Sequence, residues 1–116
     1  MTGPEAIDTL PGSVRIGSLD YAIEIVRDSW AEGCPWGECD YSTLTIRVKR
    51  DQPSSVFACD TVMHEFMHAI YRERIEDEAG EERIVTAMSQ GWTGLFRDNP
   101  WLPGWVAVAV RGPSIS

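Results

Sequence analysis

Two histidines and a glutamate stand close together in the sequence, as His64-Glu65-Phe66-Met67-His68. The chain contains 2 histidines in its 116 residues, so both lie in this motif. Because residues four apart on an α-helix project from one face, both imidazoles can reach a single metal ion, with Glu65 beside them. The H-E-x-x-H pattern indicates hydrolysis by a zinc-activated water, with the glutamate as general base.

A hydrolytic zinc site needs a third protein ligand and keeps a fourth position open for water. The chain has no third histidine, which excludes the zinc-peptidase classes whose third ligand is histidine. A carboxylate is therefore expected, and an acidic stretch after the motif supplies Asp77, Glu78, Glu81 and Glu82. Glu82 is favoured because it lies at the edge of the apolar face of the next helix. Glu81 is the alternative.

Apolar residues recur with a helical period over residues 56–75, and again over about 81–97. The first helix carries a broad apolar arc and a narrow polar stripe. A stripe that only faces water usually carries Lys, Glu, Arg and Gln, whereas this one holds two histidines in register. The stripe consists of Thr61, His64, Glu65, His68 and Arg72.

Strands are predicted before the first helix. Residues 13–16 and 21–26 alternate like a hairpin, although residues 23–27 could also begin a short helix. Residues 44–48 alternate most cleanly, whereas 30–40 has the composition of a loop. Residues 101–111 could form a terminal helix or strand. The pattern as a whole predicts an α+β fold in which a small sheet packs on the helices.

Length and composition predict a single domain over residues 13–111, with a flexible arm at 1–12 and a tail at 112–116. The net charge of −8 argues against a nucleic-acid partner, which would need a basic patch. No apolar stretch is long enough to span a membrane.

The three cysteines, Cys34, Cys39 and Cys59, are an odd number in a chain with no visible secretory signal. Reduced thiols in the cytoplasm are therefore expected. A separate structural zinc on these thiols would lack a usual fourth ligand.

The chain resembles a minigluzincin in three features, which are the histidine motif, a short acidic connection, and Glu81-Glu82-Arg83-Ile84-Val85 at the start of a second helix. The chain is similar to small phage- and prophage-encoded proteins of this kind, and more distantly to ImmA/IrrE-type peptidases. The resemblance implies a zincin-like fold, in which a small twisted antiparallel or mixed sheet packs on the active-site helix and a glutamate-bearing helix. It also implies that Glu82, three residues before Val85, is the third ligand. Position 86 is Thr where many relatives have Asn or Asp.

The expected function is a zinc metallopeptidase with one Zn²⁺ per chain, acting on a protein or peptide in a bacterial cytoplasm. An extended substrate would pair with an edge strand formed by residues 44–48, against Leu44, Ile46 and Val48. The alternative is a phage structural or interaction protein that keeps zinc on the same scaffold without catalysis. The oligomeric state is left open. Candidates for stabilising the oxyanion are Tyr41, Tyr71, Arg72 and Arg97.

Overall fold

The computed structural model describes residues 6–27, 36–74 and 80–111, except for the side chain of Glu81. Within these ranges the fold is α+β, as predicted, with a four-stranded mixed sheet and three α-helices. The strands are β1 (Ser13–Ile16), β2 (Leu19–Val26), β3 (Gly37–Asp40) and β4 (Thr45–Lys49). The helices are α1 (Ser55–Arg74), α2 (Glu81–Asp98) and α3 (Leu102–Arg111).

The sheet has the strand order β1-β2-β4-β3. β1 and β2 form the predicted antiparallel hairpin, whose turn contains Gly17 with a φ of 61°. β4 runs parallel to β2 on one side and antiparallel to β3 on the other. The two edges of the sheet are therefore β1 and β3.

The prediction that residues 44–48 form an edge strand is wrong, because β4 is hydrogen-bonded to a neighbour on both sides. Ile46 and Val48 are completely buried beneath α1, and Leu44 lies in the preceding turn with a φ of 51°. No backbone edge remains there for an added peptide, so Leu44, Ile46 and Val48 cannot bind substrate by strand addition. The edge strand on this side is β3, in the stretch that was predicted to be a loop.

Helix α1 lies at the centre of the fold and contacts the sheet, α2 and α3. Its apolar arc supplies Val62, Phe66 and Ile70 to the core, each at most 1 % exposed. The two long helices approach closely at Gly91 of α2, where an added Cβ would lie 2.5 Å from Ile70 Cγ2.

Both predicted helices are confirmed, but their predicted apolar faces are only partly buried. Met67 of α1 and Ile84 and Val85 of α2 are exposed. Thr61 and Glu65 of the predicted polar stripe are instead buried.

The N-terminal part of the described chain also belongs to the core. Ala6–Thr9 forms a short 3₁₀ helix, and Ile7 within it is 1 % exposed. The indole Nε1 of Trp105 in α3 donates to Ala6 O and to Thr9 Oγ1, both at 3.0 Å. The prediction of a flexible arm is therefore wrong for residues 6–12, while residues 1–5 lie outside the described residues.

The C-terminal stretch is a helix rather than a strand. Pro103 is compatible with it because it falls in the first turn of α3, where no N–H is needed. The predicted tail at 112–116 lies outside the described residues. No helix in the described part of the chain is both long enough and apolar enough to cross a membrane.

Candidate functional site

His64 and His68 project side by side from the exposed surface of α1. Their Nε2 atoms lie 3.1 Å apart, and their ring centroids are 4.7 Å apart with an interplanar angle of 80°. The helix spacing produces this convergence, because positions four apart lie one turn above each other. The motif thus presents two imidazole nitrogens to one point in space.

The two histidines fit a pair of zinc ligands. At Zn–N bonds of about 2.0 Å and tetrahedral angles, two coordinating nitrogens lie about 3.3 Å apart. The observed 3.1 Å is close to that spacing, and it also suits a hydrogen bond between the rings. Burial and, to a lesser extent, the neighbouring His64 lower the pKa of His68. This favours the neutral imidazole, the form that binds metal.

Glu65 differs from its histidine neighbours because it is buried, at 6 % exposure. Burial, and to a lesser extent the carboxylate of Glu38, raises the pKa of Glu65, whereas His64 opposes the rise. A raised pKa brings a carboxyl group nearer to the neutral range in which it can both accept and release a proton. The helical projection had placed Glu65 on the polar stripe without indicating that it would be covered.

Strand β3 covers Glu65, and Gly37 makes this possible. A Cβ on Gly37 would lie 2.9 Å from Thr61 Cγ2 and 3.0 Å from both Glu65 Cγ and Glu65 Oε2. Contacts this short do not occur without displacement, so only glycine allows the strand to pass against the helix here. The start of β3 is therefore packed directly on the glutamate of the motif.

Tyr41, just after β3, makes a second contact with the motif. Its hydroxyl donates to the main-chain carbonyl of His68 at 3.0 Å, and the Arg72 guanidinium lies 4.7 Å from its ring centroid. Gly37, at the start of the edge strand, thus packs against Glu65, and Tyr41, just after its end, hydrogen-bonds to His68. Because its O–H already has this partner, Tyr41 is not assigned to the oxyanion here.

A groove of about 600 Å³ runs between β3 and the exposed face of α1. It brings His64, Glu65 and His68 together with residues that sequence reasoning had not selected. The residues that line it are Trp36, Gly37, Glu38, Cys39, Tyr41, Phe57, Asp60, Thr61, His64, Glu65 and His68.

The predicted third ligand is not part of this groove. Glu82 is exposed on the first turn of α2, where Thr86 Oγ1 donates to its Oε2 at 3.5 Å. It lines a separate depression together with Arg74 and Gln90. Within residues 6–27, 36–74 and 80–111, leaving aside the side chain of Glu81, no three or more His, Cys, Asp or Glu side chains are grouped closely enough to hold a metal ion.

The other carboxylates proposed for this role are not tested by the geometry. Asp77 and Glu78 lie outside the described residues, and only the backbone of Glu81 is described. The identity of the third ligand stays a prediction.

The remaining sequence candidates are spread over the surface. Arg97 pairs with the adjacent Asp98 at 2.8 Å on α2 and does not line the groove, and neither do Tyr71 and Arg72.

Two sets of groove residues were missed: Gly37 and its neighbours, from the stretch predicted to be a loop, and Phe57 and Asp60, from the first two turns of α1. In the sequence, the local indication of a short strand was the glycine at position 37 followed by a polar residue, Glu38, and an apolar one, Cys39.

Comparison with known proteins gave no match to any family model, curated protein or solved structure.

Proposed function

We propose that the protein is a zinc-dependent peptidase with a zincin-like fold. His64 and His68 are the proposed zinc ligands, and Glu65 is the proposed general base. The observation that carries the proposal is the convergence of two Nε2 atoms, 3.1 Å apart, beside a buried carboxylate in an open groove. Burying an ionised carboxylate is unfavourable. A histidine pair with a purely structural role would not require such a carboxylate, so the burial of Glu65 favours a chemical role.

His64 and His68 would hold a zinc ion, which would supply the Lewis acid needed to polarise the scissile carbonyl and to lower the pKa of the attacking water. Glu65 accepts the proton of that water on its carboxylate and delivers it to the leaving amine. Its burial supports this role, because it raises the pKa of Glu65 towards the range in which a carboxyl group can both accept and release a proton. β3 excludes solvent from one side of this carboxylate.

The edge strand provides a route for the substrate. Among the described residues, β3 is hydrogen-bonded to β4 on one side only, so its other edge can pair with an extended peptide. A peptide lying along this edge would follow the groove and pass the motif. This role belongs to residues 37–40 and replaces the role first predicted for Leu44, Ile46 and Val48.

The proposed third ligand is Glu82, with Glu81 as the alternative. Glu82 lies outside the groove, so binding the ion would require its side chain to approach the histidines. A matched pair of variants tests the choice. Glu82→Ala is expected to weaken zinc binding about 10- to 100-fold or more, as loss of a zinc-site residue does, while Glu81→Ala leaves it unchanged. Zinc affinity is measured by competition with a chromophoric chelator. The opposite ranking would assign the ligand to Glu81, and two unaffected variants would reject both.

Catalysis is tested by comparing the native protein with Glu65→Gln. Both are loaded with zinc, incubated with a peptide library derived from a bacterial proteome, and analysed by mass spectrometry for new termini. The native protein is expected to produce a recurring set of cleavages, and the variant none, while both retain zinc. Equal cleavage by both proteins would overturn the assignment of Glu65 as the base.

The alternative is a zinc-binding interaction protein that uses the same groove without cleaving what it binds. The separation of Glu82 from the histidines favours it, since a scaffold of this kind does not need a complete catalytic site. Zinc binding and peptide binding without any cleavage would support it. In either case the resemblance to phage and prophage proteins suggests a partner inside the bacterial host.

A further inference from the structure

An aromatic pair forms the end of the groove nearest the start of β3. Trp36 directly precedes the strand and is 40 % exposed, and Phe57 lies in the first turn of α1. Their ring centroids are 5.4 Å apart with an interplanar angle of 76°, an edge-to-face arrangement. Both rings line the same groove as His64 and His68. The aromatic surface is thus continuous with the proposed metal site.

The backbone beneath Trp36 is firmly held. Its carbonyl accepts hydrogen bonds from the Lys49 N–H at 2.9 Å and from Gln52 Nε2 at 3.2 Å. Gln52 is in turn fixed to α1, because its Oε1 accepts from Thr61 Oγ1 at 3.1 Å. A ring carried on such a backbone presents a preformed surface, which lowers the entropic cost of binding.

A carboxylate completes this end of the groove. Asp60 is exposed, lies three residues after Phe57 and four before His64, and lines the same groove. It forms no ion pair with any other residue in the described part of the chain. The described residues that line the groove include carboxylates but no lysine or arginine.

The indole of Trp36 already binds one cation within the protein. Lys49 Nζ lies 5.0 Å from the centroid of its ring, a typical cation–π distance. Lys49 shows that this ring accepts an aliphatic stem with a cationic end, but its ammonium would repel a second cation at the same place. The cation of a ligand must therefore be held at Asp60, with only its stem against the rings. An apolar ligand side chain would instead remove water from the Asp60 carboxylate without replacing the lost hydrogen bonds.

We propose that Trp36, Phe57 and Asp60 form a subsite for a lysine or arginine side chain of the bound peptide. The aromatic rings pack against the stem, and the Asp60 carboxylate accepts hydrogen bonds from the cationic end. This inference rests on the proposed function, in which a peptide lies along β3 in the groove. It makes the substrate a basic polypeptide, whose approach the net charge of −8 would accelerate.

The test measures binding by the zinc-loaded Glu65→Gln protein, so that it does not depend on cleavage. The probes are fluorescent decapeptides of glycine and serine with one central position occupied by lysine, arginine, norleucine, phenylalanine or glutamate. Norleucine is the matched control for lysine, because it keeps the stem and lacks the ammonium group. We expect the lysine and arginine peptides to bind about three- to tenfold more tightly than the norleucine peptide.

Three variants assign the effect to the subsite. Asp60→Asn should abolish the preference for lysine over norleucine, while Asp20→Asn, with the same change in net charge on β2, should preserve it. Trp36→Ala should weaken binding of the lysine and norleucine peptides alike, because both use the stem contact. Tighter binding of norleucine or phenylalanine, a preference unaffected by Asp60→Asn, or binding of none of the peptides would each overturn the subsite.

The experiments distinguish failure of the lysine subsite from failure of the proposed catalysis. A preference for lysine that depends on Asp60, in a protein that cleaves nothing, would overturn the peptidase and keep the subsite. Cleavage that depends on Glu65, with no such preference, would overturn the subsite and keep the peptidase.

Discussion

Replacing Gly37 with alanine tests whether β3 is packed directly on the histidine motif. The added Cβ would lie 2.9 Å from Thr61 Cγ2 and 3.0 Å from two atoms of Glu65. Carbon atoms in contact prefer separations of about 3.5–4.0 Å, so the strand and the helix must separate by roughly 0.5–1 Å. Glycine is needed here for space alone, because Gly37 is not among the residues with a positive φ.

The expected cost follows from two opposing effects. Overpacking a close contact costs about 1–3 kcal/mol. Alanine recovers about 0.5–1 kcal/mol because glycine loses more backbone entropy when a strand forms. The net loss of folding free energy is therefore between about zero and about 2.5 kcal/mol, which corresponds to a decrease in Tm of up to roughly 10 °C for a chain of this size. Displacement of Glu65 should also lower the rate of peptide cleavage about 10- to 100-fold.

The assay combines urea denaturation with the cleavage measurement, and two other glycines serve as controls. Gly104→Ala should be neutral or stabilising by up to about 1 kcal/mol, since a Cβ there meets nothing within 4 Å in a helix. Gly91→Ala should destabilise through Ile70 without changing the groove. A Gly37→Ala protein with native stability and native cleavage would refute the packing of β3 on Glu65.

Three further predictions concern Asn99, Cys39 and Asp40. Asn99 is 4 % exposed, and its side-chain amide hydrogen-bonds to backbone groups of β1 and α2. Asn99→Ala should therefore lower the free energy of unfolding, measured by urea denaturation, by about 1–3 kcal/mol. An unchanged midpoint would contradict this. Burial raises the pKa of the Cys39 thiol to about 12. Maleimide at pH 8 should therefore label Cys39 slowly until the chain unfolds, as followed by peptide mapping. Rapid labelling of the native protein would show that the thiol is not protected. Hydrogen bonds from Ser42, and then from Arg47, lower the pKa of Asp40. Its ionised form therefore stabilises the fold above the unfolded pKa of about 3.9, and this contribution is lost as pH falls. The stability advantage of the native protein over Asp40→Asn should disappear in acid, and an advantage that grows in acid would contradict the assignment.

The sequence predicted the elements whose signal is local. The helical period of α1 correctly identifies Val62, Phe66 and Ile70 as core residues, and the four-residue spacing places His64 and His68 one turn apart on the same face. Alternation in β4 likewise identified the face that is buried. Alternation does not specify strand order, however, and so could not show that Ile46 and Val48 lie in an interior strand.

The groove could not be predicted because it depends on contacts between distant parts of the chain. β3 has four residues, and it is a strand because it pairs with β4, while its own composition favours a turn. Its packing on α1 decides that Glu65 is buried while the adjacent His64 stays exposed. A helical projection treats the two residues alike, since it contains no information about what covers the helix.

The central claim is that His64 and His68 bind the zinc on which the proposed activity depends, and native mass spectrometry during a zinc titration tests it most directly. The native protein is expected to bind one zinc ion per chain, as a catalytic site with three protein ligands does. The double variant His64→Ala/His68→Ala is expected to remain folded and to bind none at the same concentrations. A native protein that binds no zinc, or a double variant that binds it equally well, would contradict the claim.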